Sequence, residues 1–198
     1  MPAWIIAIEW ISRIILVTLF VLSIWSVSII LDRRKALNEM EKADSSEEAK
    51  KLILAKDWSS LKKWAAAGSG LRSGALLAAL DAHGTESIDR SVKSYLTGEK
   101  IKLEKGFTAL ASLGSNGPFI GLFGTVLGII QAFGALAAQQ MGTNSIMAAL
   151  SEALIATAFG LLVAIPAQIS YNFFIRKVKT MMIECESLKD LYISRLEG

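Results

Sequence analysis

Residues 149–168 read ALSEALIATAFGLLVAIPAQ, an apolar run that is long enough to cross a bilayer as a helix and that contains one carboxylate. From residue 107 to residue 175 there is no Lys, Arg, His or Asp, and Glu152 is the only acidic residue. An ionised side chain at the centre of a bilayer costs roughly 2.5–3.5 kcal/mol on insertion scales. Glu152 must therefore face water, meet a cation from another chain, or keep its proton.

The composition of the whole chain is that of a membrane protein. Of its 198 residues 53% are hydrophobic, more than is usual in a soluble domain. Three segments can span a bilayer as helices: residues 14–31, 107–138 and 146–175. These runs lack the alternation that marks the strands of a membrane barrel. The predicted fold class is all-α, an integral membrane protein with three transmembrane helices and helical cytoplasmic extensions.

The N-terminal apolar run is predicted to be a membrane span and not a cleaved signal peptide. No basic region precedes it, no small-residue cleavage site follows it, and the basic cluster DRRK at residues 32–35 flanks its end. Residues 1–13 contain Trp4 and Trp10, which suit the membrane interface. We therefore expect a short interfacial helix before the first span.

The basic residues predict the orientation of the spans. Of the 21 Lys and Arg residues, fifteen lie within residues 32–106, five lie within residues 176–198, and Arg13 is the remaining one. By the positive-inside rule, the two basic segments are cytoplasmic, whereas residues 1–13 and the uncharged loop at residues 139–145 are periplasmic. The net charge of +3 thus reflects topology, and no nucleic-acid partner is expected.

The cytoplasmic insertion is predicted to consist of helices. Ser45 begins a capping box, and GSGLRSG at residues 68–74 marks a break between helices. Apolar residues at helical spacing predict a long helix from Thr85. We expect this helix to continue into the second span, with Gly98 and Gly106 as its flexible points.

Isolated residues that could carry chemistry are interpreted as structural. Trp58 and Trp64 are expected to pack between helices, His83 to lie on the surface beside a helix end, and Cys185 to be a plain thiol without a disulfide partner. The sequence has no metal-ligand cluster, no phosphate-binding loop and no nucleophile paired with a base. We therefore expect no catalytic residue, no metal and no cofactor.

Small residues form one stripe along each of the last two spans. Spacings of three and four place them on one helix face, and such faces let helix backbones approach closely in lipid. Because neither stripe can be fully used inside one three-helix subunit, they predict a homo-oligomer. Pro118 and Pro166 are expected to bend their helices. The stripes consist of Gly114, Gly117, Gly121, Gly124 and Gly128 in the second span, and of Ala149, Ala153, Ala156, Gly160, Ala164 and Ala167 in the third.

Three polar residues border these stripes. On a helical projection Glu152 and Thr157 lie on opposite flanks of the third-span stripe, and Thr125 lies beside the second-span stripe. One interpretation is a permanently protonated Glu152 that bonds a neighbouring helix. The other is an acid that binds and releases a cation as its surroundings change, and the residues alone leave both open.

Two blocks of sequence resemble a known family. PFIGLFGTVLGII at residues 118–130, followed by SEALIATAFGLLVAIPA at residues 151–167 and by Tyr171-Asn172, is similar to the ExbB/TolQ/MotA proton-channel family, on its ExbB/TolQ branch. The similarity covers residues 110–172 and is specific, since two blocks occur in the right order at the right separation. It implies several copies, typically five, around the transmembrane helices of a partner resembling ExbD or TolR, whose aspartate carries protons.

The resemblance also implies roles and a location. The polar pore positions of the family fall on Thr125, Glu152 and Thr157. The chain would lie in the bacterial inner membrane and convert the proton motive force into work on the envelope through a TonB- or TolA-like protein. That work would serve TonB-dependent import or Tol-Pal-type envelope maintenance. A gliding-type motor subunit and a non-conducting scaffold remain alternatives, and the coupling ion, proton or sodium, is left open. Four-span flagellar stator subunits are disfavoured by the three spans.

Overall fold

The computed structural model describes residues 3–137 and 143–197, and its regular elements there are all α-helices. The all-α prediction is confirmed for this part of the chain. The loop predicted at residues 139–145 lies largely outside the described residues. The helices are α1 (Ala3–Ala43), α2 (Ser46–Leu54), α3 (Trp58–Ala67), α4 (Leu71–Leu80), α5 (Thr85–Leu103), α6 (Phe107–Ala137) and α7 (Thr143–Glu197).

Three of these helices, α1, α6 and α7, are long and apolar enough to cross a membrane, which confirms the predicted number of spans. The helix α1 has 41 residues and α7 has 55, so both extend well beyond the roughly 20 residues that a span needs. The expectation of a separate helix before residue 14 is wrong. Residues 3–13 belong to α1, because no Gly or Pro interrupts the sequence between residues 3 and 31.

The chain divides into two compact units, each described here by itself. The apolar unit comprises residues 1–31 and 106–172, and the polar unit comprises residues 32–105 and 173–198. Arg13 is the one basic residue of the apolar unit, and the other twenty Lys and Arg residues belong to the polar unit. The membrane boundaries and the sidedness of each segment stay predictions.

Within the apolar unit, α6 and α7 pack antiparallel through their small residues. A Cβ added to Gly117 would lie 3.0 Å from the Ala164 Cβ, and one added to Gly124 would lie 2.7 Å from the Ala156 Cβ. Along the two helices the contacts advance in opposite directions. The same pairing extends to Gly114 beside Gln168, to Gly121 beside Gly160, and to Gly128 beside Ala153. The two stripes therefore pack on each other within one chain. The expectation that they need a second copy to pack against is wrong.

Both transmembrane prolines lie inside their helices. Pro118 is within α6 and Pro166 is within α7, and the helices continue through them. Since proline has no N–H, each leaves one carbonyl of the preceding turn without its helical partner. The bend expected at these positions stays a prediction.

The prediction that one unbroken helix runs from Thr85 into the second span is wrong. The helix α5 ends at Leu103, and α6 begins at Phe107. Between them Gly106 has φ +83°, a left-handed conformation that favours glycine, and a Cβ there would lie 3.0 Å from the Ile29 Cγ2. Gly106 is therefore a helix break, whereas Gly98 lies within α5.

In the polar unit a buried carboxylate begins α4. Asp44 accepts hydrogen bonds from the backbone N–H groups of Gly70 at 3.2 Å and of Arg72 and Ser73 at 3.0 Å each. Arg72 is 6% exposed, and its Nε donates to the Glu184 carboxylate at 2.9 Å. The negative charge of Asp44 interacts favourably with the positive end of the helix dipole. The GSGLRSG segment therefore contains the capped start of α4.

The remaining single-residue expectations concern the polar unit. The Ser45 hydroxyl accepts from a backbone N–H at the start of α2, as the capping box predicts. Trp58 is half-buried, and its ring packs edge-on against Tyr192 with centroids 5.3 Å apart. His83 is exposed. Cys185 is buried, and burial raises the pKa of its thiol to about 12, so at neutral pH the reactive thiolate is scarce.

Candidate functional site

Glu152 lies beside a small cavity inside the apolar unit, where α1, α6 and α7 meet. The cavity has a volume of about 10 Å³. Its walls are mostly small side chains, which leave space where larger residues would fill it. A space of this size is close to the minimum that one water molecule requires. The lining residues are Ser12 and Leu16 of α1, Gly124, Gly128 and Gln131 of α6, and Ala149, Glu152, Ala153 and Ala156 of α7.

Three of the lining side chains are polar, namely those of Ser12, Gln131 and Glu152. The Oγ of Ser12 is buried and has no hydrogen-bond partner among the described residues. Glu152 is exposed in the single chain, and the described residues provide neither a hydrogen bond nor an ion pair to its carboxylate. Arg13 is instead paired with Glu9 at 2.7 Å. The carboxylate of Glu152 is thus not neutralised within the described part of the apolar unit.

The two threonines do not line this cavity. Thr125 is 9% exposed, and its hydroxyl donates to the backbone carbonyl of Leu122 at 2.7 Å. Thr157 lies against Gly121, since a Cβ added to that glycine would be 2.9 Å from the Thr157 Cα. Of the three positions singled out from the sequence, Glu152 therefore lines the cavity, Thr157 lies against α6, and Thr125 is buried on α6 away from the cavity.

The hydroxyl of Thr157 has no hydrogen-bond partner in the part of the chain that the structure describes, although its oxygen is buried. A threonine in a helix usually donates to a carbonyl three or four residues earlier, as Thr125 does. Leaving a buried hydroxyl unbonded costs about 1–3 kcal/mol. Thr157 therefore carries a buried hydroxyl, unbonded among the described residues, where α7 lies against α6.

The outer surface of the apolar unit carries large hydrophobic side chains that are more than half exposed. Such side chains suit contact with lipid tails or with another membrane helix. Examples are Ile14, Val17, Phe20 and Ile24 on α1, Phe119, Leu122 and Phe133 on α6, and Leu154, Leu162 and Ile169 on α7.

Comparison with known proteins places this site in a family context. The model of the MotA/TolQ/ExbB proton channel family matches residues 61–187. The chain belongs to the MotA/TolQ/ExbB proton channel family. The resemblance drawn from the two sequence blocks is confirmed, and with its three apolar helices the chain is a multi-pass membrane protein of this family.

Individual relatives agree with the ExbB/TolQ branch. The Tol-Pal system protein TolQ of Pseudomonas aeruginosa is 47% identical over 90 residues, which are 45% of this chain and 39% of that protein. The biopolymer transport protein ExbB of Xanthomonas campestris is 43% identical over 103 residues, 50% of this chain and 39% of the relative. That of Aquifex aeolicus is 42% identical over 104 residues, 50% of this chain and 70% of the relative. The chain thus spans only 39% of the first two relatives.

Sequence reasoning missed Ser12 and Gln131. Gln131 had a usable signal, because it follows Gly128 by three residues and so extends the face of the glycine stripe. Ser12 had none, since α1 contains several serines and only its place at the cavity where α1, α6 and α7 meet distinguishes this one.

Proposed function

We propose that this chain is the channel subunit of a proton-driven motor in the bacterial inner membrane, and that Glu152 handles the protons. The observation that carries the proposal is the setting of Glu152. It is the sole acid within residues 107–175, it has no charge partner among the described residues, and it borders a cavity of the size of one water molecule. In a proton channel family, such an acid fits a site that binds and releases protons.

Exposure of Glu152 supports an assembly around a polar path. A carboxylate that faces lipid is costly, so the exposed side of Glu152 is expected to face a pore between copies or a partner helix. The exposed apolar side chains supply the surfaces for these contacts and for lipid. We propose a homo-oligomer, with five copies as the family resemblance implies. Native mass spectrometry in mild detergent tests this, and a monomeric protein would contradict it.

The proposed partners are inferred from membership of the family, and no contact within the described part of the chain identifies them. A single-span protein resembling ExbD or TolR would place its aspartate in the pore, and a TonB- or TolA-like protein would receive the work. The relatives are a Tol-Pal system protein and biopolymer transport proteins, which supports envelope maintenance or import as the process served. A proton that crosses 100 mV releases roughly 2.3 kcal/mol, before any pH gradient is added. No covalent reaction is needed.

The proposed orientation puts residues 32–106 and 176–198 in the cytoplasm. Its support is the distribution of charge, with twenty of the 21 Lys and Arg residues in these two segments. A reporter fused within residues 139–145 should then report the periplasm. A cytoplasmic signal there would reverse the orientation.

The replacement Glu152→Gln tests the proposed role of the acid. Glutamine keeps the size and the hydrogen-bonding capacity of glutamate but cannot ionise. We expect the variant to assemble normally and to lose coupled work in a complementation assay of an envelope or uptake phenotype. Glu9→Gln is the matched control, because Glu9 is the other acid of the apolar unit and does not line the cavity. Full activity of the assembled Glu152→Gln variant would favour the scaffold alternative, in which the amide replaces a structural donor.

A further inference from the structure

We infer that Ser12 is a positioning residue of the proton pathway, and that its hydroxyl holds one water molecule against the carboxylate of Glu152. The inference rests on the proposed function, because it assigns a second polar group to the same site. It also gives α1 a part in a pathway that the sequence blocks assign to α6 and α7 alone.

The hydroxyl of Ser12 is free to bond a water molecule. A serine inside a helix usually donates to a carbonyl of the preceding turn. Ser26, on the same helix and in the same unit, does so, since its hydroxyl donates to the Ser23 carbonyl at 3.0 Å. Ser12 makes no such bond within the described chain, and its buried oxygen borders the cavity.

The cavity has the polarity and the size that one water molecule requires. A buried water makes two to four hydrogen bonds to polar groups, and Ser12, Gln131 and Glu152 supply a hydroxyl, an amide and a carboxylate. The remaining lining residues are glycines, alanines and Leu16, which cannot compete for these bonds. A volume of about 10 Å³ is at the lower limit for one water molecule.

The water and the Ser12 hydroxyl stabilise the ionised form of Glu152, since a hydrogen bond to a carboxylate is stronger than one between neutral groups. Few other charges act on the site. Residues 107–137 of α6 carry none, and the part of α7 in the apolar unit carries only Glu152. The part of α1 in the apolar unit contributes Glu9 and Arg13, which pair with each other. Loss of the hydroxyl should therefore slow proton release from Glu152 while the fold is kept.

The test compares Ser12→Ala with Ser26→Ala in the full-length protein. Ser26→Ala is the matched control because it removes a buried hydroxyl from the same helix, away from the cavity. Infrared spectra in lipid vesicles record the carbonyl band of the protonated Glu152 side chain, identified by its absence in Glu152→Gln. Proton flux is measured in vesicles that contain the complex with its single-span partner. We expect Ser12→Ala to raise the band frequency and to lower the flux about five- to tenfold, the factor expected for one lost hydrogen bond. Ser26→Ala should change neither.

The outcomes separate this inference from the proposed function. If Glu152→Gln abolishes flux while Ser12→Ala matches the native protein in both measurements, the role of Ser12 is refuted and the proposed function stands. A shifted band with native flux also refutes it, because the hydrogen bond would then exist without serving the pathway. Native flux in Glu152→Gln would overturn the proposed function itself.

Discussion

Replacing Gly121 by alanine should force α6 and α7 apart. The added Cβ would lie 2.9 Å from both the Ala156 carbonyl oxygen and the Thr157 Cα, and 3.2 Å from the Gly160 Cα. An ordinary contact of a Cβ is 3.4–4 Å, so the shortfall at the closest atoms is at least half an ångström. These neighbours are backbone atoms, which cannot turn aside as the end of a flexible side chain can. The helices themselves must move.

The expected cost is that of overpacking a close contact, about 1–3 kcal/mol in the free energy of unfolding. Gly121→Leu should cost more, because the larger side chain has no space between the helices. The control is Gly98→Ala. Gly98 is exposed within α5 and has nothing within 4 Å of the added Cβ, so the alanine should stabilise the protein by about 0.5–1 kcal/mol.

The assay unfolds the purified protein in mixed micelles of a mild and a denaturing detergent. The loss of helix content, measured by circular dichroism, reports the unfolding. The native protein, Gly121→Ala and Gly98→Ala are compared under the same conditions. The two variants should shift the unfolding midpoint in opposite directions. A Gly121→Ala protein as stable as the native one would refute close packing of the two backbones.

Three further predictions concern the polar unit. Gly70→Ala should destabilise the protein, because the added Cβ would overlap the Asp44 carboxylate that caps α4, and thermal unfolding measures the loss. Hydrogen bonds from the side chain and then the backbone of Ser60 lower the pKa of Asp57 from 3.8 to about 2. The stability that Asp57 contributes is therefore present above pH 4 and lost as the pH falls towards 2, and Asp57→Ala should reduce this acid sensitivity in a pH series of unfolding curves. Cys185 should resist maleimide at neutral pH in the folded protein and react once it is unfolded, which mass spectrometry can follow.

The fold class followed from local patterns, because apolar runs without alternation and residues at helical spacing mark helices wherever they occur. Helix ends were less accessible. The break between α5 and α6 includes Gly106, which has a left-handed backbone and so little space beside it that an added Cβ would lie 3.0 Å from the Ile29 Cγ2. Ile29 is far away in the sequence, so the residues beside Gly106 do not reveal this neighbour. The cap of α4 was hidden for a similar reason, since Asp44 and the N–H of Arg72 are 28 residues apart.

For the candidate site, composition alone isolated Glu152, since one acid among apolar residues is visible without a structure. The stripes of small residues were also visible in the sequence. Their packing on each other was not, because residue spacing identifies a helix face but not the helix that it contacts. The helical projection also singled out Thr125 and Thr157, which the structure keeps away from the cavity. Ser12 could come only from the structure, because it depends on where α1 meets α6 and α7.

Because the backbones of α6 and α7 are in close contact, the two sides of α6 should tolerate different amino-acid substitutions in evolution. At the glycines that face α7, every possible substitution adds a Cβ, and at Gly117, Gly121 and Gly124 that atom would lie within 3.0 Å of the opposite helix. On the outward side, Phe119 and Phe133 are about two thirds exposed, at 67% and 66%, so other apolar side chains fit equally well. Sequence drift along this helix should therefore accumulate on its outward side. Related chains could then change their neighbours in the membrane while keeping the same helix pair.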